Sequence, residues 1–180
     1  MSRFEFIFVL ISIILGLALT QLLSGMTRSI QKSERKFDLA HIFFSFAVVI
    51  LLITVWWATF RWEHHQPWTF PDFALLCVYM SWFYVMTMIL YPANLQVVPR
   101  FSEIRIRFYG AFIVYCLLEI PVMIVRDGTL EPWYYLPMMV HLVVLSGLGM
   151  VLRRDRVDTV FAGWICLVNI AWPFAARMTG

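Results

Sequence analysis

Glu119 places an acid in the middle of the apolar run "IVYCLLEIPVMIV", residues 113–125, with Pro121 two positions on. Four other strongly polar side chains interrupt similar runs: Gln21, His41, His141 and Asn169. Groups of this kind are expensive in an apolar medium, so each is by default a candidate for function. A carboxyl group beside an imidazole can pass a proton near neutral pH. A proline within a helix frees a backbone carbonyl, which can help to coordinate a cation. Glu119, His141 and Asn169 therefore form a candidate polar intramembrane centre, suited to a proton relay or a cation-coupled carrier. The plainer alternative is that the same groups only glue helices together by hydrogen bonds.

The elements that must position these residues follow from composition. The chain is 180 residues long, 62% hydrophobic and 14% charged, with mean hydropathy +0.79. Soluble domains carry about 25% charged residues, so this chain is expected to be an integral membrane protein forming one domain over residues 1–180. A bilayer core of about 30 Å needs roughly 20 apolar helical residues. Six segments qualify, at about 4–26, 38–60, 73–92, 108–125, 133–152 and 159–176. The first is longer than the apolar core of a secretory signal, which argues for a retained helix. The fold class expected is all-α, a polytopic six-helix bundle.

Direction comes from the basic residues. With the N-terminus outside, the inner loops 27–37, 93–107 and 153–158 hold ten of the fourteen Lys and Arg residues. The outer segments hold Arg3, Arg61, Arg126 and Arg177, together with the aromatic stretches "WWATFRWEHHQPWTFPD" and "EPWYYLP". Both termini are thus expected outside. The pI of about 8.9 reflects this topology, not nucleic-acid binding.

Helical rise converts position to depth. Glu119 and His141 each fall roughly 18 Å from the inner boundary, and Asn169 roughly 15 Å. Gln21 and His41 lie within about 8 Å of it. Asp38, His41 and Ser45 share one face of the second helix by their spacing. Asp38, His41 and Gln21 are therefore expected to form a cytoplasmic vestibule, separated from the deeper centre by roughly 10 Å.

On the first helix, Ser12, Gly16, Thr20 and Ser24 recur every four residues. Small residues so spaced let another helix approach closely, within the bundle or in a second subunit. The loop "NLQVVPRFSEIRIRF", 94–108, alternates apolar residues with Arg and Glu, as in a strip lying on the membrane surface.

Other chemistry is poorly served. His41 and His141 differ in depth by about 13 Å, which does not suit a haem held between two histidines. His64 and His65 are adjacent and lack an evident third ligand. Cys77, Cys116 and Cys166 lie in apolar segments without metal or redox spacing. There is no HExxH, GxSxG, P-loop or GxGxxG motif. No cofactor, metal or enzymatic activity is expected.

The opening "FVLISIILGLALTQLLSGM", the basic turn after it, the early His41, "WWATFRW" and "PWTFPDF" resemble a group of short bacterial inner-membrane proteins without an assigned activity. The resemblance covers about the first half of the chain. It implies a six-helix protein of the bacterial inner membrane and assigns no role to any residue. Two functions are expected from all these features. One is a channel or carrier for protons, ions or a small solute. The other is a non-catalytic subunit that binds another membrane protein through the small-residue face of the first helix, whereas the channel or carrier is itself expected to be a homo-oligomer.

Overall fold

The computed structural model describes residues 3–31, 38–65, 67–93, 98–130 and 133–178, apart from the side chains of residues 3, 64 and 173–178. Among the described residues six α-helices carry the fold: α1 (Arg3–Gln31), α2 (Leu39–Ala58), α3 (Phe70–Leu90), α4 (Phe101–Asp127), α5 (Tyr135–Leu152) and α6 (Asp155–Met178). A 3₁₀ turn, Thr59–His64, prolongs α2. Five of these segments are long and apolar enough to cross a membrane: α1, α2 with its turn, α3, α4 and α5. The sixth expected crossing, 159–176, runs past the last described side chain.

Local chemistry sets the helix ends. Asp38 caps α2 by accepting from the His41 amide. Thr69 and Asp72 form a reciprocal capping box at α3, with proline in its first turn. Gly128 ends α4 with φ +71°, a conformation open to glycine at no steric cost. The turn from α5 to α6 is so tight that Arg153 takes φ +48°.

α2 packs chiefly on α6, and α1 on α3, while α4 lies between α3 and α5. The buried stripe of α1 is Ile7, Ile11, Leu15, Ala18 and Leu22, whereas Ile13 and Leu17 point outward. Outward Ile, Leu and Val residues recur on the other helices, as a lipid-facing surface requires. Gly25 is a close-approach site: a Cβ there would overlap the ring of Tyr91.

The fourth helix departs most from expectation. It starts at Phe101 instead of about residue 108, and its 27 residues extend about 40 Å. The Phe101 amide donates to Asp38 Oδ2 at 2.7 Å, which ties its first turn to the cap of α2. Phe101, Ile104 and Phe108 are buried in the bundle, which corrects the surface strip placed at 94–108. Residues 94–97 lie outside those described. From Phe101 on, the alternation of apolar and charged residues serves a helix with one core face, because Arg105 also finds partners inside.

Candidate functional site

Glu119 sits where three helices meet. Its side chain projects from α4 and is 6% exposed. From α3, the Tyr79 hydroxyl donates to Glu119 Oε2. From the first residue of α5, the Tyr135 hydroxyl donates to Oε1 at 2.5 Å. Both tyrosines are buried. Tyr115, one turn before Glu119, stacks on Tyr79 with ring centroids 6.1 Å apart. Each carboxylate oxygen thus has a hydroxyl donor, as buried polar groups require. Pro121 stands within the helix two residues on.

Two turns beyond Glu119, Arg126 lines the same small cavity as the acid. Its guanidinium donates to Asp127, through Nη2 at 2.8 Å. Asp127 also pairs with Arg61 at 3.0 Å. A cavity of about 20 Å³ lies between these groups, lined by Thr59, Trp62, Tyr79, Glu119 and Arg126 among others. That is room for about one water molecule. An acid, two hydroxyls and a water-sized space beside a guanidinium can accept, hold and release a proton.

The three residues expected at the centre are not joined by hydrogen bonds. His141 Nε2 accepts from Trp164 Nε1 at 2.9 Å, on the seam between α5 and α6. The described hydrogen bonds of Glu119 go to the two tyrosines, which corrects the expected Glu119–His141 pair. Depth accounts for the difference. Glu119 lies 18 residues from the true start of α4, or about 27 Å, and only about 12 Å from its end. Tyr135 opens α5 near that end, while His141 is about 9 Å further down the same helix. Asn169 is half-buried, and its Nδ2 has no hydrogen-bond partner among the described residues.

The vestibule residues divide in a similar way. Asp38 lines a cavity of about 250 Å³ with Arg100, Ser102, Asp155, Asp158 and Thr159. Gln21 and His41 instead meet at Tyr91, after the end of α3. Gln21 Nε2 donates to the Tyr91 carbonyl at 2.6 Å. The His41 ring packs edge-on to Tyr91 at 4.8 Å. It is 4% exposed, and neither ring nitrogen has a hydrogen-bond partner among the described residues. Ser45 links to the Tyr91 hydroxyl at 2.8 Å.

The small-residue face of α1 does not serve packing inside the bundle. Gly16, Thr20 and Ser24 are exposed, and a Cβ at Gly16 would meet nothing within 4 Å. Ser12 is half-buried.

Several residues of the site escaped sequence reasoning. Tyr79 lies in a mostly apolar helix, and Tyr135 belongs to a stretch that reads as an interfacial belt. Arg105 counted only toward topology, yet it is buried and paired with Asp155 at 2.7 Å and with Asp158 at 2.5 Å. The available signal was spacing: Arg105, Phe108, Phe112, Cys116 and Glu119 follow one another at three and four residues, on one face of one helix. No family model, curated protein or solved structure matches the chain.

Proposed function

We propose that this protein is a small channel or carrier, with Glu119 as the group that binds its proton, ion or small solute. The observation that carries this reading is the buried Glu119 carboxylate, held by Tyr79 and Tyr135 beside a water-sized cavity and Arg126. An ionisable acid is costlier than an amide or a hydroxyl as mere adhesive between helices. The tyrosines take the place beside Glu119 that the sequence suggested for His141. The bias of basic residues supports termini facing outward, and the resemblance noted above supports a bacterial inner membrane.

Purified protein in liposomes carrying a pH-sensitive dye tests this reading, with potassium and sodium gradients run in parallel. Flux should fall at least tenfold in Glu119→Gln. Wild-type flux that survives this change unaltered would sink it.

A second reading, a non-catalytic subunit that binds another membrane protein, is favoured by the open face at Gly16 on α1. Detergent sizing separates the two: a Gly16→Leu chain that remains folded but loses a larger assembly supports the second.

A further inference from the structure

The same stripe of α4 that ends at Glu119 begins in a different environment. Arg105 lies 14 residues earlier, about 21 Å along the axis, with its side chain 7% exposed. It reaches across to α6. Its Nε donates to Asp158 Oδ2 at 2.7 Å, and its Nη2 to Asp155 Oδ1 at 2.7 Å. Asp158 is itself 1% exposed, and its other oxygen accepts from the Tyr109 hydroxyl at 3.1 Å. The Tyr109 ring seats against Gly149 of α5, where a Cβ would collide with it. One polar cluster therefore clamps the starts of α4 and α6 and the end of α5.

On its outer side this cluster borders the 250 Å³ cavity, which Asp158 and Phe101 help to line. Packed around the cluster, and continuing inward along α4, is a buried aromatic layer. Phe44 of α2 packs on Phe101 at 4.6 Å, on Phe108 at 4.7 Å and on Tyr109 at 5.6 Å. Phe112 continues the layer at 6.3 Å from Phe108. Beyond it come Cys116, wholly buried, and then Glu119. The molecule thus has a roomy polar cavity at the end with the basic loops and a buried acid further in. A salt bridge and four tightly packed aromatic rings separate them.

We propose that the Arg105–Asp158 ion pair and the Phe44–Phe101–Phe108–Tyr109 layer form a gate, here closed, between the 250 Å³ cavity and the Glu119 site. The inference rests on the reading of Glu119 as the binding group and names how access to it is controlled. A buried ion pair suits a two-position device, because its members are well satisfied together and poorly satisfied apart. Rings packed edge-on and at a tilt can swing aside by a change of rotamer without unfolding a helix. Parting α6 from the start of α4 would release Tyr109 from Asp158 and join the cavity to the α4 stripe.

Cys116 lies between the layer and Glu119 and reports on the gate directly. The experiment uses the full chain carrying Cys77→Ser and Cys166→Ser, purified in detergent and treated with a small water-soluble maleimide. Cys116 should react slowly in the otherwise native chain. Arg105→Gln and Asp158→Asn should each raise the rate at least tenfold, with Arg105→Lys in between. A parallel chain in which Leu15→Cys is the sole cysteine reads general loosening of the bundle. Equal acceleration at both positions, or none at Cys116, would overturn the gate. If neither ion-pair variant is monodisperse, Phe108→Ala decides in the same way, since it opens the layer and leaves the salt bridge intact. Cys116 labelling does not depend on flux. Opening in Arg105→Gln combined with flux indifferent to Glu119→Gln would keep the gate and discard Glu119 as the binding group.

Discussion

Removing the Tyr135 hydroxyl is the sharpest test of the Glu119 geometry, because Tyr135→Phe deletes one atom and keeps the ring. That ring packs against Trp172 at 5.1 Å, so its apolar contacts survive. What is lost is the donor to Glu119 Oε1, on an acid 6% exposed. A hydrogen bond to a charged group contributes about 1.5–3 kcal/mol in soluble proteins. Interhelical hydrogen bonds in membranes average about 0.6 kcal/mol and reach about 1.7. Tyr79 still donates to the other oxygen, so a loss of about 1–2 kcal/mol is expected. The sign should change with the partner. In a Glu119→Leu background the Tyr135 hydroxyl has no acceptor, and removing it should be neutral or slightly stabilising, because replacing both partners by apolar groups removes the unsatisfied one. The assay is a double-mutant cycle measured by reversible unfolding in mixed micelles. A coupling energy of about 1 kcal/mol or more is expected. Additive effects within about 0.3 kcal/mol would show that the two side chains do not interact and would refute the three-helix site.

Two further predictions concern the scaffold. Gly25→Ala should destabilise by about 1–3 kcal/mol, since its Cβ overlaps the Tyr91 ring and the core must shift. Gly16→Ala should be neutral or stabilising by up to about 1 kcal/mol, with open space at that position and better helix propensity. Thermal unfolding of the two variants side by side checks the contrast, and equal effects would contradict it. Thr69→Ala should cost about 1 kcal/mol by removing the α3 cap, read as earlier hydrogen exchange at Phe73 and its neighbours.

Much of the fold was legible in the letters. The six helices fall where the apolar runs lie, and Thr69 and Asp38 stand at the starts they cap. Glu119 was recognisable as an outlier by type alone. Its depth was not, because hydropathy drops at the charges of 103–107 and so marks the start of α4 too late. Those charges lie inside the helix, Arg105 neutralised by α6 and the others turned outward. An ion pair to a residue 53 positions away leaves no local trace.

The sequence by itself determined the solvent, the number and approximate place of the helices, and the short set of residues able to do chemistry. These follow from transfer free energy and helix length, both sums over neighbouring residues. Only the tertiary structure decided that Glu119 faces Tyr79 and Tyr135, that His141 turns to Trp164, and that Arg105 closes onto Asp158. In lipid most of a helix surface is apolar, so spacing can mark a face, as from Arg105 to Glu119, but not which neighbour that face meets. Helix order and the reach of individual side chains make that choice, and both exist only once the bundle has formed.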